Sequence, residues 1–239
     1  MPQPFSTRDD LKLDPLQEYF RIILDWTLAH RQTFLSVAGT LAVAAVVSAF
    51  IVTGLRSRDR QAWEKYNFAQ TWAVTNNPQN ALNAYDDVVT NFGRTPAAAY
   101  ALLGKGDVLY QQKRYAEAVE AYKQCLAKDP PKIILPVVFS GLGAAQEDGG
   151  DFAGAIESYK QYTANFPDHM LAPKIYESLA RAYEFSRNQD AAKEVYEKII
   201  TMFPDSFWAE KARGRYQALA PTPFQNAPAE TSQSAPSKP

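Results

Sequence analysis

The chain has 239 residues, 46% hydrophobic and 21% charged, with a formal net charge of −1 at neutral pH. This composition suits one or two folded domains, and the near-zero charge supplies no general attraction for nucleic acid, so no nucleic-acid partner is expected. A single cysteine, Cys125, excludes an intrachain disulfide, and His30 and His169 have no Cys or His neighbour at zinc-ligand spacing, so no metal site or other cofactor is expected.

In chain order, residues 1–32 form an N-terminal tail. Asp14-Pro15 reads as a helix cap followed by a first-turn proline, after which Leu16, Tyr19, Phe20, Ile23 and Trp26 recur at helical spacing opposite Glu18, Arg21 and Asp25. The result is an amphipathic juxtamembrane helix, suited equally to the bilayer interface and to docking on a membrane partner.

From Thr33 to Leu55 the chain runs 23 residues without a charge. At about 1.5 Å per residue such a helix crosses a hydrocarbon layer of roughly 30 Å, so residues 33–55 are expected to be a transmembrane helix. The competing reading is a cleaved signal peptide. Against it, 32 residues precede the stretch, which also exceeds the usual apolar region of a signal, so an anchor that persists is expected.

Ala38, Ala42, Ala45 and Ala49 put small side chains on one face, where a helix of a membrane-complex partner could approach, although alanine is common in membrane helices anyway. Lys12, Arg21 and Arg31 precede the span, whereas Arg56, Arg58, Arg60 and Lys65 lie beyond it. The charge difference leans toward a cytoplasmic position for the C-terminal side of the span.

Residues 56–220 are repetitive. Ala81, Ala118, Ala155 and Ala192 are 37 residues apart, as are Tyr85, Tyr122, Tyr159 and Tyr196. The same shift aligns Ala69, Gly106, Gly143 and Ala180, and aligns Gly93 with Pro130, Pro167 and Pro204. Each unit reads as a helical hairpin. A small residue marks where helix A crosses helix B, the tyrosine fills the space beside it, and proline closes helix B. Turn signals fall at Asn76-Asn77-Pro78, Gly149-Gly150-Asp151 and Asn188-Gln189-Asp190.

With these residues in place the sequence resembles the tetratricopeptide repeat family. Phe139, Leu142, Gly143, Ala155, Tyr159 and Pro167 match its pattern in the third unit, where Gln146 departs from the usual aromatic. The fourth unit matches through Tyr176, Leu179, Ala180, Tyr183, Ala192, Tyr196 and Pro204. The second keeps Leu102, Gly106, Ala118, Tyr122 and Pro130 but has Lys105 and Leu109 at motif positions. The first keeps Phe68, Ala69, Trp72, Ala81 and Tyr85.

The expected fold is all-α: one N-terminal transmembrane helix, then an α-solenoid of about four hairpins with its extra residues in the connections between hairpins. A capping helix, Phe207 to Leu219, would complete it, with Phe207, Trp208, Ala212 and Tyr216 covering the end of the stack. The tail 221–239, rich in Pro, Ser and Ala, reads as disordered. In overall plan the chain is similar to the anchored ancillary subunit of the bacterial secretion translocon. That likeness implies a single-pass protein of the bacterial inner membrane with its repeats in the periplasm, acting as a scaffold or chaperone-like adaptor.

No catalytic residues stand out. Gly104-Lys105-Gly106 falls inside a helix and cannot cradle phosphate, Glu147-Asp148 reads as a solvated helix end, and Cys125 falls at a core position. The family resemblance implies that A helices line a concave groove for a protein partner. It selects Tyr66, Gln70 and Ala73, then Leu103, Asp107 and Tyr110, then Ser140, Ala144 and Glu147, then Glu177, Arg181 and Glu184. Tyr66, Leu103 and Ser140 stand where a carboxylate-gripping member would need Lys. The expected ligand is therefore an apolar or basic extended segment, meeting aromatics at one end and the glutamates at the other.

Overall fold

The computed structural model describes residues 15–219, leaving the expected Asp14 cap and the tail 221–239 outside the described residues. Those residues form ten α-helices and no strand. The chain divides into two units, residues 1–57 and 58–239.

The first unit holds α1 (Pro15–Ala29) and the start of α2 (Arg31–Val74). On α1 the aromatic side chains of Tyr19, Phe20 and Trp26 are exposed, Arg21 pairs with Asp25 at 4.0 Å, and Trp26 stacks on His30 at 5.1 Å. The large apolar side chains of 33–55, from Phe34 to Leu55, are exposed. Ser36, Thr40 and Thr53 return their hydroxyls to the carbonyls of Thr33, Ser36 and Phe50 at 2.8, 2.9 and 3.0 Å. Beyond Leu55 the helix continues, and α2 runs unbroken for 44 residues. The segment Arg56 to Gln61 contains no glycine or proline, so nothing stops the helix from propagating.

The second unit adds α3 (Pro78–Asn91), α4 (Pro96–Gln111), α5 (Tyr115–Ala127), α6 (Leu135–Asp148), α7 (Phe152–Asn165), α8 (Ala172–Phe185), α9 (Gln189–Met202) and α10 (Phe207–Ala218). The last turns of α2 pair with α3, and then α4/α5, α6/α7 and α8/α9 form successive hairpins. Within each, the A–B turn contains one residue of positive φ: Asn76 (56°), Lys113 (62°), Gly150 (83°) and Arg187 (62°), spaced by the sequence period. Asp151 and Asn188 then cap the B helices, their side chains accepting from the amides of Gly154 and Ala191.

The repeated tyrosines explain the repeated glycines. A Cβ on Gly106 would lie 2.6 Å from Cε1 of Tyr122, and one on Gly143 would collide in the same way with Tyr159. The same rings meet the next hairpin: a Cβ on Gly104 would lie 2.6 Å from Tyr85, and one on Gly141 2.7 Å from Tyr122. Each tyrosine is therefore a wedge between its own A helix and the following one, and all four are buried. Burial of a side chain this large contributes on the order of 2–3 kcal/mol.

The core forms two clusters, one running from Ala62 to Ala145 and the other from Ala155 to Ala212. Between them, on the third hairpin, Gln146 and Ser158 are buried and hydrogen-bonded at 2.6 Å, so the aromatic missing from the motif is replaced by a polar pair. At the start of the array Phe68 is 66% exposed and Trp72 is exposed too, while Leu142 and Leu179, at the same register in the third and fourth hairpins, are buried against preceding hairpins. The capping helix is present, with Ser206 as its N-cap accepting from the Ala209 amide at 3.1 Å. It covers the stack with Ala209, Ala212 and Trp208. Phe207, at the first helical position, is 74% exposed and Tyr216 also faces outward, correcting the expectation that all four would cover the end.

Successive A helices touch, α4 with α6, α6 with α8 and α8 with α10, whereas among the described residues no B helix touches the next B helix. The array therefore curves with its A helices inside.

Candidate protein-binding groove

The selected residues fall on α2, α4, α6 and α8, the inner helices. In the first half, Tyr66 accepts from Gln70 Nε2 at 2.5 Å and joins an aromatic group with Trp63 (5.4 Å), Tyr85 (6.1 Å) and Tyr100 (6.1 Å). Leu103 is half-buried against the first core cluster. Asp107 is half-buried and accepts the Tyr122 hydroxyl at 2.7 Å. Burial raises its carboxyl pKa, with the Tyr122 hydrogen bond opposing. Tyr110 donates to Asp148 Oδ2 at 2.6 Å, crossing from α4 to α6, and that bond together with burial pushes its phenol up to about 12. Ser140 and Ala144 lie half-buried midway.

The second half is an ion-pair ladder. Arg181 donates through Nε to Glu147 Oε1 at 2.5 Å, through Nη2 to Glu147 Oε2 at 2.9 Å and through Nη1 to Glu177 Oε2 at 2.9 Å. Lys211 reaches the other Glu177 oxygen at 2.7 Å, and Tyr159 donates to Glu147 at 2.8 Å. The side chains of Glu147 and Glu177 are 6% and 5% exposed, whereas that of Arg181 is 38% exposed. Glu184 repeats the arrangement, accepting from Tyr196 at 2.7 Å and pairing with Arg215. Hydrogen bonding to Glu147 and its charge hold the Arg181 pKa above the usual arginine value despite burial.

Two expectations are thereby corrected. Glu147 is not part of a solvated helix end, since only Asp148 is exposed there. The glutamates also do not form an open acidic end to the groove, because Arg181, Lys211 and Arg215 cover them. Lys211 and Arg215 were missed because they lie on the capping helix, outside the recognised units. Extending the period once more would have found them: α10 is a fifth A helix, and Arg215 stands one period beyond Ser178.

The tetratricopeptide repeat family model matches residues 68–133 and 141–207, more than half of the chain. The chain belongs to the tetratricopeptide repeat family. No curated protein matches it. Among solved structures it is similar to a MamA double mutant from strain RS-1 (18% identity, TM-score 0.55, covering 66% of this chain and 82% of that one). A tetratricopeptide repeat protein from Parabacteroides merdae gives 14% identity and a TM-score of 0.58, with 67% of this chain covered and 60% of that one. The repeats of a kinesin light chain from Podosopora anserina give 18% identity and 0.53, with 68% and 90% covered. At these identities the likeness speaks for the fold.

Tetratricopeptide repeat arrays generally act as protein-binding scaffolds and are typically not enzymes. The Cys125 thiol is buried, donates to the Ala99 carbonyl at 3.2 Å and is pushed up to about 12 by burial, which keeps it protonated and unreactive. Among the described residues no cluster of His, Cys, Asp and Glu could hold a metal ion. Gly104 and Gly106 both lie within α4, each with a tyrosine ring against it in place of a phosphate.

Proposed function

We propose that this protein is a membrane-anchored adaptor of the bacterial envelope that holds an extended segment of a partner protein in its concave groove. Residues 33–55 form a single inner-membrane span, 1–32 carry an interfacial helix, 56–220 are the binding domain, and 221–239 are a Pro-, Ser- and Ala-rich tail. The observation that carries the reading is the inner face of α2 and α4, where Tyr66, Leu103, Asp107 and Tyr110 stay partly open to solvent, although Leu102, Gly104, Gly106, Val108 and Leu109 around the last three are buried. Tyrosines there supply contact area at modest entropic cost. Gln70, Ser140 and the outer edge of Arg181 complete the contact surface, while Glu147, Glu177 and Glu184 fix the cations that line it.

The anchor is supported by a helix with an apolar window of mean hydropathy 2.3, none of it buried, and by hydroxyls that satisfy themselves on their own backbone, as an apolar solvent demands. The periplasmic side and a chaperone-like role beside the secretion translocon rest on the similarity of plan. Alkaline phosphatase and green fluorescent protein, fused separately after Pro239, test the side: phosphatase activity without fluorescence is expected, and fluorescence without phosphatase would move the domain to the cytoplasm. Leu103→Ala combined with Tyr110→Ala tests the groove. Co-purifying partners should be lost, and their full retention would refute the assignment.

The exposed aromatic face of α1 favours a second reading, an accessory subunit held in a membrane complex by its helices while the repeats act as a spacer. Replacing 33–55 with an unrelated apolar span separates the two, since loss of assembly would support the accessory subunit.

A further inference from the structure

Three B-helix tyrosines donate to a carboxylate on their own A helix: Tyr122 to Asp107, Tyr159 to Glu147 and Tyr196 to Glu184, at 2.7, 2.8 and 2.7 Å. In two of these the carboxylate also holds a guanidinium, Arg181 on Glu147 and Arg215 on Glu184. Asp107 has the tyrosine and no ion pair among the described residues. The nearest lysine in sequence, Lys105, is bound to Asp86 at 2.5 Å. One register position thus carries Asp107 in the second hairpin and Arg181 in the fourth, so the array supplies a cation at one end of the groove and a bare carboxylate at the other.

The surroundings of Asp107 suit a cation. Asp107 lies one helical turn from Leu103 and from Tyr110 on α4, and its carboxylate accepts the Tyr122 hydroxyl at 2.7 Å. A half-buried carboxylate without a counter-charge is costly, and tyrosine faces attract an ammonium or guanidinium group. Leu103, Tyr66 and Tyr110 stand on either side of Asp107 along the inner face for apolar neighbours.

We infer that Asp107 is the anchor for one lysine or arginine side chain of the bound segment, flanked in that segment by apolar residues. The assignment rests on the groove reading above. In the complex, the partner's cation takes the place at Asp107 that Arg181 takes at Glu147, with Tyr122 holding the carboxylate in position. The second half, whose carboxylates are already paired, contributes no such preference.

The test uses the full chain in detergent micelles, probed with an array of short immobilised peptides and then by fluorescence anisotropy of those that bind. Bound peptides should share one Lys or Arg beside apolar residues. Replacing that residue by citrulline or norleucine should weaken binding by about tenfold or more, and Asp107→Asn should weaken the unmodified peptide equally. In the Asn variant the peptide exchange should then cost nothing further. Binding that depends on Leu103 and Tyr110 but ignores both peptide charge and Asp107→Asn would overturn the inference and leave the groove reading intact. An array with no peptide dependent on Leu103 and Tyr110 would overturn both. The citrulline exchange alters only the peptide, so its outcome does not depend on how the variant folds.

Discussion

In the second half of the groove Glu147, Glu177 and Glu184 each meet a cation of the chain, whereas in the first half Asp107 meets a tyrosine hydroxyl and, among the described residues, no cation. The same tyrosine-to-carboxylate device therefore does two jobs. Closed by Arg181, Lys211 and Arg215, it ties α6, α8 and α10 together and completes the end of the stack. Left open at Asp107, it keeps a half-buried carboxylate without a counter-charge, which stability alone would not favour.

Removing a charge should act with opposite sign in the two halves. The largest loss should come from Arg181→Ala, which strips the counter-charge from Glu147 and half of it from Glu177. A fully buried pair broken in this way costs about 3–5 kcal/mol, and with Arg181 38% exposed we expect about 2–4 kcal/mol, seen as a fall in Tm by circular dichroism. Arg181→Lys should recover only part, since an ammonium cannot span Glu147 bidentately.

Next in size is Gly106→Val. It forces a branched side chain into the Tyr122 ring, where even a Cβ would lie 2.6 Å away, and should cost about 1–3 kcal/mol by thermal melting. Gln146→Leu tests the polar seam between the two core clusters. Alone it should cost about 1–2 kcal/mol by stranding the Ser158 hydroxyl, and adding Ser158→Ala should return most of that, a coupling visible in a double-mutant cycle.

The smallest effect, and the one of opposite sign, is Asp107→Asn. Because burial raises the native carboxyl pKa above its ordinary 3.8, the folded state binds a proton more readily than the unfolded one. Stability then falls as pH rises through that window and stays reduced above it. At neutral pH the Asn variant should melt above the wild type, and the gap should close as the pH drops below the ordinary aspartate range.

Much of this was legible in the sequence because a repeat reports its own geometry. The spacing of Tyr85, Tyr122, Tyr159 and Tyr196 placed every B helix, and the glycines opposite them marked the crossings. Asn76 and Gly150 announced their turns. Lys113 and Arg187, equally at positive φ, did not, since neither type favours that conformation and the hairpin register imposes it on them.

The helices that carry the inner-face residues were legible, but the charge pairing was not. Arg181 reaches 34 residues back to Glu147, and Lys211 and Arg215 come from a helix outside the counted units, so pairing that depends on packing across helices left no local signal. The exposure of Phe68 was hidden in the same way, because its motif position is buried only where a hairpin precedes it.

Site-specific photocrosslinking in intact cells, with benzoylphenylalanine placed at Tyr110 on α4 or at Glu120, exposed on α5, tests groove binding most directly. A discrete partner adduct should form from position 110, be absent from position 120, be lost with Leu103→Ala and be competed by a lysine-containing peptide but not by its norleucine form. Equal adducts from both positions, or adducts that persist unchanged with Leu103→Ala, would contradict groove binding.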